Sequence, residues 1–173
     1  VEILNVIDFN PDINFIITFG IILISAVLLT YIVSTLISNY RYRKYEERLS
    51  QAGMYEIDLM TGSEFEHYLE LFFKKLGYRV KRTPASNDFG ADLILDGEDR
   101  IVVQAKRYGK KVGVRAVQEV NSARDYYEAR CAWVITNNFF TLQAQKLAIS
   151  TAISLIDRDE LTDMILGSKT ENN

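Results

Sequence analysis

From Ile13 to Tyr40 the chain runs 28 residues without a charge, and its centre, Phe15 to Ile37, is almost wholly apolar. As a helix those 23 residues span ~34 Å at ~1.5 Å per residue, enough for a hydrocarbon core of ~30 Å. Thr18, Ser25, Thr30, Ser34 and Thr35 interrupt the run, and a helix can return such hydroxyls to its own carbonyls. A buried core helix and a cleaved signal peptide are the competing readings. A signal peptide calls for basic residues ahead of the apolar run, whereas this flank carries Asp8 and Asp12.

Beyond residue 60 the pattern changes to short alternating elements. The sequence from Thr61 to Glu66 opens a helix, with Ser63 and Glu66 as an expected capping box. Phe65, Tyr68, Leu69, Phe72 and Leu76 then recur at helical spacing before Gly77. Strands are expected over 78–83, 91–95 and 100–106, with the last two joined in a hairpin by Asp96-Gly97-Glu98-Asp99. A helix over 114–128, a strand over 131–135, a helix over 141–150, a strand over 152–156 and a helix over 160–166 complete the order α-β-β-β-α-β-α-β-α. The apolar run Cys131-Ala132-Trp133-Val134-Ile135 reads as a buried interior strand. A hairpin followed by βαβ-type units predicts an α/β domain with a mixed central sheet flanked by helices. Residues 46–60 read only as a connector.

Charge sharpens the division. Residues 1–40 hold Glu2, Asp8 and Asp12 without a Lys or Arg, so they carry the whole formal net charge of −3. The sequence Arg41-Tyr42-Arg43-Lys44-Tyr45 follows the apolar run. By the positive-inside rule this predicts a single-pass helix in the cell membrane, with the N-terminus outside and the rest cytoplasmic. Tyr40, Tyr42 and Tyr45 suit an interfacial belt. The expected organisation is an extracytoplasmic segment 1–12, a transmembrane helix 13–40, a juxtamembrane connector 41–57, a folded domain 58–166 and a flexible tail 167–173. One Cys and one His exclude a disulfide framework and any site needing two histidines, leaving carboxylates, amides and amines as the available chemistry.

The hairpin gathers such groups. With its turn near Gly97–Glu98, Asp92 falls roughly opposite 103–106. Gln104 and Lys106, two apart on one strand, share a face, and Val103 and Ala105 point the other way. Asp92 and Lys106 can form a plain ion pair. Alternatively, Asp92 and the carbonyl oxygens of Gln104 and Ala105 are hard donors suited to Mg²⁺, with Lys106 beside a target phosphate. Lys106, Arg107, Lys110, Lys111 and Arg115 form an acid-free basic cluster that can grip phosphates, with Tyr108 placed to stack or pack.

The ordered set Glu64-Phe65-Glu66, Leu76-Gly77-Tyr78, Asp88-Phe89-Gly90-Ala91-Asp92 and Gln104-Ala105-Lys106-Arg107-Tyr108, with the segment Val134 to Thr141, resembles the Mrr-type restriction endonuclease domain, a branch of the PD-(D/E)xK nucleases. The resemblance implies a restriction-endonuclease-like αβββαβ core and a Mg²⁺-dependent DNA endonuclease acting on foreign or modified DNA. It implies Asp92 as the metal carboxylate, Lys106 as the catalytic amine, and Gln104 where the wider superfamily carries Glu or Asp. Glu66 matches an acidic residue near that active site, in competition with its role as a cap. Asp88 matches an acidic loop position, with loop-capping the alternative. Ala91 stands where the superfamily has Pro. The implied partners are DNA, the membrane and a second copy of the chain, and no nucleotide cofactor is expected. A non-catalytic DNA-binding module of the same fold, or a repair or RNA nuclease, are the other functions compatible with these residues.

Overall fold

A computed structural model describes residues 11–84 and 89–170, and it divides the chain into two compact units, Val1–Glu47 and Arg48–Asn173. Helix α1 (Pro11–Ser50) carries the apolar run. Its stretch from Asn14 is long and apolar enough to cross a membrane, and none of its most apolar window is buried. Each interrupting hydroxyl bonds a carbonyl three or four residues back, from Thr18 to Asn14 at 2.6 Å through to Thr35 to Tyr31 at 2.9 Å. The polar atoms therefore cost the helix little in an apolar surround.

The second unit is built on a five-stranded mixed sheet of β1 (Arg79–Arg82), β2 (Leu93–Asp96), β3 (Arg100–Lys106), β4 (Cys131–Thr136) and β5 (Ser154–Ile156), ordered β1-β2-β3-β4-β5. The first three strands are antiparallel neighbours, and β3, β4 and β5 run parallel. Helices α2 (Met54–Leu59), α3 (Gly62–Lys75), α4 (Val114–Tyr126), α5 (Leu142–Thr151) and α6 (Arg158–Thr170) complete it. Strand alternation divides the core into two layers. Leu93, Leu95, Ile101 and Val103 pack with Phe65, Leu69 and Phe73 of α3 and Leu161 of α6. Ile94, Val102 and Val134 pack with Val117 and Val120 of α4 and Ala144 of α5. Each large side chain buried in this way contributes ~1.5–3 kcal/mol.

Several local expectations shift. The capping box of α3 is Thr61 with Glu64, not Ser63 with Glu66. The Glu64 carboxylate accepts from Thr61 N at 2.7 Å, and Thr61 is the last extended residue before the helix. The same four-residue pattern occurs twice in this stretch, and the earlier copy wins because it adds Gly62 and Ser63 to the helix. The connector contains α2, whose Ile57 is fully buried. The last strand starts at Ser154 because Ala152 takes a left-handed conformation that ends α5. The expected flexible tail is helical as far as Thr170, with Ser168 buried, so the docking of α6 continues past Leu166.

Two devices hold the end of the sheet where β3 finishes. Gly90 has φ +88°, and a Cβ there would lie 2.5 Å from the backbone oxygen of Glu119 on α4. Only glycine lets the chain approaching β2 pass so close to that helix. Next to it, Phe89 stacks on Tyr126 at 3.7 Å between ring centroids. The second device is Asp58 of α2, which accepts a bidentate bond from Arg158 at 2.8 Å per arm and a third bond from Asn137 Nδ2 at 2.9 Å. Asn137 in turn accepts from Tyr108 N at 2.9 Å, so α2, α6 and the ends of β3 and β4 are tied together.

Gly90→Ala should cost roughly 2–4 kcal/mol, from the left-handed backbone plus the clash with Glu119, read as a lower denaturant midpoint. A cost below about 0.5 kcal/mol would mean that the close approach is not needed. Hydrogen bonding from Arg158, against the opposing effect of burial, holds the Asp58 carboxyl below its ordinary value of 3.8. A depressed carboxylate stabilises the fold above its unfolded pKa and loses that contribution as pH falls through the folded value. Asp58→Asn should therefore cost about 1 kcal/mol near neutrality, a figure reduced for solvent screening. The gap from wild type should close below pH ~4 in urea titrations. A pH-independent gap would contradict this.

Candidate active site

Asp92 precedes β2 by one residue, and its backbone continues the ladder, with Asp92 N donating to Val103 O at 2.8 Å. The register Leu93↔Val103 puts Asp92 opposite Gln104. Both side chains have the parity of Ile94 and Val102, so they point to the α4 layer. There the Asp92 carboxylate oxygen Oδ2 accepts from the Gln104 amide Nε2 and, at 2.7 Å, from Ala105 N. Gln104 is only 2% exposed, and Asp92 is half-buried. A buried carboxylate needs such donors. From the other side, Thr83 N and Oγ1 both donate to Asp92 O at 3.1 Å.

Lys106, the last residue of β3, points the same way. Its carbonyl accepts from the fully buried Thr136 at 2.6 Å, which pins the strand end. Its ammonium lies 3.2 Å from Glu119 Oε2, while Arg115 Nε bonds the other oxygen of that carboxylate at 2.8 Å. Burial alone would raise the Glu119 pKa. The bond from Arg115 and the charge of Lys106 outweigh it and hold Glu119 below the ordinary carboxylate range. A cleft of about 310 Å³ opens here, lined by Lys106, Tyr108, Val112, Gly113, Arg115, Ala116 and Glu119. It sits at the carboxyl end of the parallel strands, where open α/β sheets place their ligands.

The structure thus joins Asp92, Gln104, the Ala105 backbone and Lys106 at one sheet end. Glu66 lies on α3, in the opposite layer, where it pairs with Arg82 at 3.0 Å. With the cap given to Thr61 and Glu64, its carboxylate is not engaged in capping. Arg107 turns toward α2 and donates to Asp58 O at 3.4 Å. Tyr108, Lys110 and Lys111 are exposed on the loop after β3, and the Arg115 side chain is 90% exposed at the start of α4. Asp88 lies outside the described residues. Sequence reasoning missed Glu119, Asn137 and Asp58. Glu119 had one visible signal, an acid one turn after Arg115 and next to the inward-facing Ala116 and Val120.

Can this site hold magnesium? Among the described residues no group of three or more His, Cys, Asp or Glu is placed to bind a metal. An ion here would rest on the Asp92 carboxylate, carbonyl oxygens of Gln104 and Ala105, water and phosphate. Mg²⁺ tolerates that sparse, all-oxygen set, whereas structural zinc prefers nitrogen and sulfur. The donor chemistry fits Mg²⁺.

Comparison with known proteins agrees on the fold. A DNA modification-dependent restriction endonuclease, AspBHI, superposes with a TM-score of 0.53 at 18% identity, over 73% of this chain and 35% of that one. The crystal structure of a protein of unknown function, AF1548, gives 0.51 at 17% identity, over 61% of this chain and 65% of that one. The MspJI restriction endonuclease in complex with a 27-mer oligonucleotide gives 0.42 at 21% identity, over 58% and 26%. This chain therefore spans about two thirds of the length of AF1548 and about one third of that of AspBHI. A search of curated protein sequences finds no match. The Mrr_cat family model, described as restriction endonuclease, matches residues 57–165. That range holds all five strands and the Asp92–Gln104–Lys106 cluster, and by this match the chain belongs to the Mrr_cat restriction endonuclease family.

Proposed function

We propose that this protein is a membrane-anchored, Mg²⁺-dependent endonuclease that hydrolyses DNA phosphodiesters and restricts foreign or modified DNA. The observation that carries the reading is the Asp92 carboxylate held by Gln104 and the Ala105 amide at a sheet end, with the Lys106 ammonium beside an open cleft. The family match and the modification-dependent nuclease among the structural neighbours support it.

Asp92, with carbonyl oxygens of Gln104 and Ala105, would hold the cation, which when bound polarises phosphoryl oxygens. The chain's own groups do the rest. Lys106 offsets charge that develops on the phosphate in the transition state and orients the attacking water by hydrogen bonding. Tyr108, Lys110, Lys111 and Arg115 engage neighbouring phosphates and sugars without reading sequence. Arg107, turned toward Asp58, would need to leave that contact to join them. Gln104 brings one negative charge fewer than a Glu would, so metal affinity should be low and DNA phosphate should complete the site. Glu66, paired with Arg82 at 3.0 Å, would have to leave that contact to support a water at the site. Cutting both strands requires two such sites, hence two copies of the chain.

The membrane reading rests on the unburied apolar run of α1, its internally satisfied hydroxyls and the cationic flank Arg41-Tyr42-Arg43-Lys44-Tyr45. By the positive-inside rule that flank supports a cytoplasmic side for residues 58–166 of a single-pass chain.

One experiment tests both parts. The full chain in detergent micelles and residues 41–173 are incubated with methylated and unmethylated plasmid, in Mg²⁺ or EDTA, beside Asp92→Ala and Lys106→Ala. Cleavage is expected in Mg²⁺ alone, at rates within ~3-fold for the two lengths, because the helix acts only as a tether. Lys106→Ala should lose ~10²-fold or more of the rate while its DNA binding by gel shift persists. Cutting in EDTA, or by Lys106→Ala at the wild-type rate, would overturn the mechanism. Binding without any cutting would favour a DNA-binding module.

A further inference from the structure

We infer that Glu119 is the positioning residue of the active-site amine: it fixes the Lys106 ammonium at the cleft that both residues line and acts on the reaction through that ammonium. This rests on the nuclease reading above and extends it to a residue that the family pattern did not single out.

The need for such a residue is physical. Lys106 ends its strand, and a lysine carries its charge on a flexible four-carbon stem. Left alone, the ammonium samples many rotamers, and an error of ~1 Å in placement can cost ~10²-fold in rate. Its backbone is pinned by β4 and Thr136, but the far end of the side chain needs its own partner. Glu119 supplies one at 3.2 Å.

Glu119 is itself held from three directions. Its second oxygen is bonded by Arg115 Nε at 2.8 Å, one turn earlier on the same helix. Its helix is locked to the sheet by the buried Ala116, Val117 and Val120. Its backbone oxygen would lie 2.5 Å from a Cβ at Gly90, so the chain leading into Asp92 rests directly on it. One residue thus sets the distance between the loop that delivers the acid and the side chain that delivers the amine. The site's own charges keep the carboxylate ionised at neutral pH.

A second consequence makes the role separable from DNA binding. Lys106, Arg115 and Glu119 together carry a net charge of +1. Removing the acid leaves two cations facing an incoming phosphate, so substrate binding should hold or improve while turnover falls. A residue that served only DNA binding would shift KM, and one that served only the fold would lower the melting temperature and the active fraction.

The test measures kcat and KM for plasmid cleavage by the full chain, in wild type, Glu119→Ala, Glu119→Gln, Lys106→Ala and the Lys106→Ala/Glu119→Ala double variant, with melting temperatures alongside. Glu119→Ala should lower kcat ~10–100-fold with KM unchanged or lower. Glu119→Gln, whose amide oxygen still accepts a hydrogen bond, should recover at least ~3-fold of that loss. In the Lys106→Ala background the second substitution should cost nothing further. If Glu119→Ala does not fold, Glu119→Gln carries the test with an expected fall in kcat of ~3–10-fold. An unchanged kcat in a folded variant, or a full additional loss on top of Lys106→Ala, would overturn the assignment. Wild type that cuts while Glu119→Ala matches it removes Glu119 alone, and wild type that never cuts removes the nuclease reading with it.

Discussion

A carboxylate held by an amide, Asp92 by Gln104, is the contact around which the site is organised. Two carboxylates at hydrogen-bond distance would repel unless one were protonated or a cation lay between them. Asp92 instead meets the Gln104 Nε2 and the Ala105 N–H, both donors. Those two donors hold the acid in place within the fold itself. The same arrangement should weaken metal binding, because an ion must compete with those hydrogen bonds and meets one negative charge fewer.

That contact depends on register. Asp92 reaches Gln104 because the hairpin pairs Leu93 with Val103, and a slip of one residue would turn one of the two side chains into the α3 layer and part them. Apolar burial on both faces guards the register, with Leu93, Leu95 and Val103 on one side and Ile94 and Val102 on the other. Strand β3 carries this load at the centre of the sheet, antiparallel to β2 and parallel to β4. Its last residues are secured from outside by Thr136, by the Asp58–Asn137–Arg158 network and by α4 through Glu119. Helix α2 thereby takes part in holding the strand that carries Gln104 and Lys106.

The hairpin was legible in the sequence because strand alternation is local. Once the turn is set at Asp96–Asp99, the face shared by Gln104 and Lys106 follows. The mixed sheet, the apolar helix and its self-bonded hydroxyls were legible for the same reason. Contacts between distant segments were not. Nothing near Glu119 reveals that Gly90 will rest against it. Arg107 reads as one more cation of a basic run until α2 folds back and offers it the Asp58 carbonyl. The capping box was misplaced by two residues because Thr61-Gly62-Ser63-Glu64 and Ser63-Glu64-Phe65-Glu66 satisfy the same rule, and the choice between them is made by the whole helix. Glu66, free of capping, pairs instead with Arg82 across the gap to β1.

The central claim, that a neutral amide holds the acid in place, is tested most directly by melting temperature as a function of Mg²⁺ in the wild-type chain and in Gln104→Glu. In EDTA the Glu variant should melt several degrees lower, since a penalty of ~1 kcal/mol moves the transition of a domain this size by ~4 °C. Added Mg²⁺ should raise its melting temperature well beyond the small shift of wild type. If Gln104→Glu melts with wild type in EDTA and responds no more strongly to Mg²⁺, the amide does not hold the site together and the account is wrong.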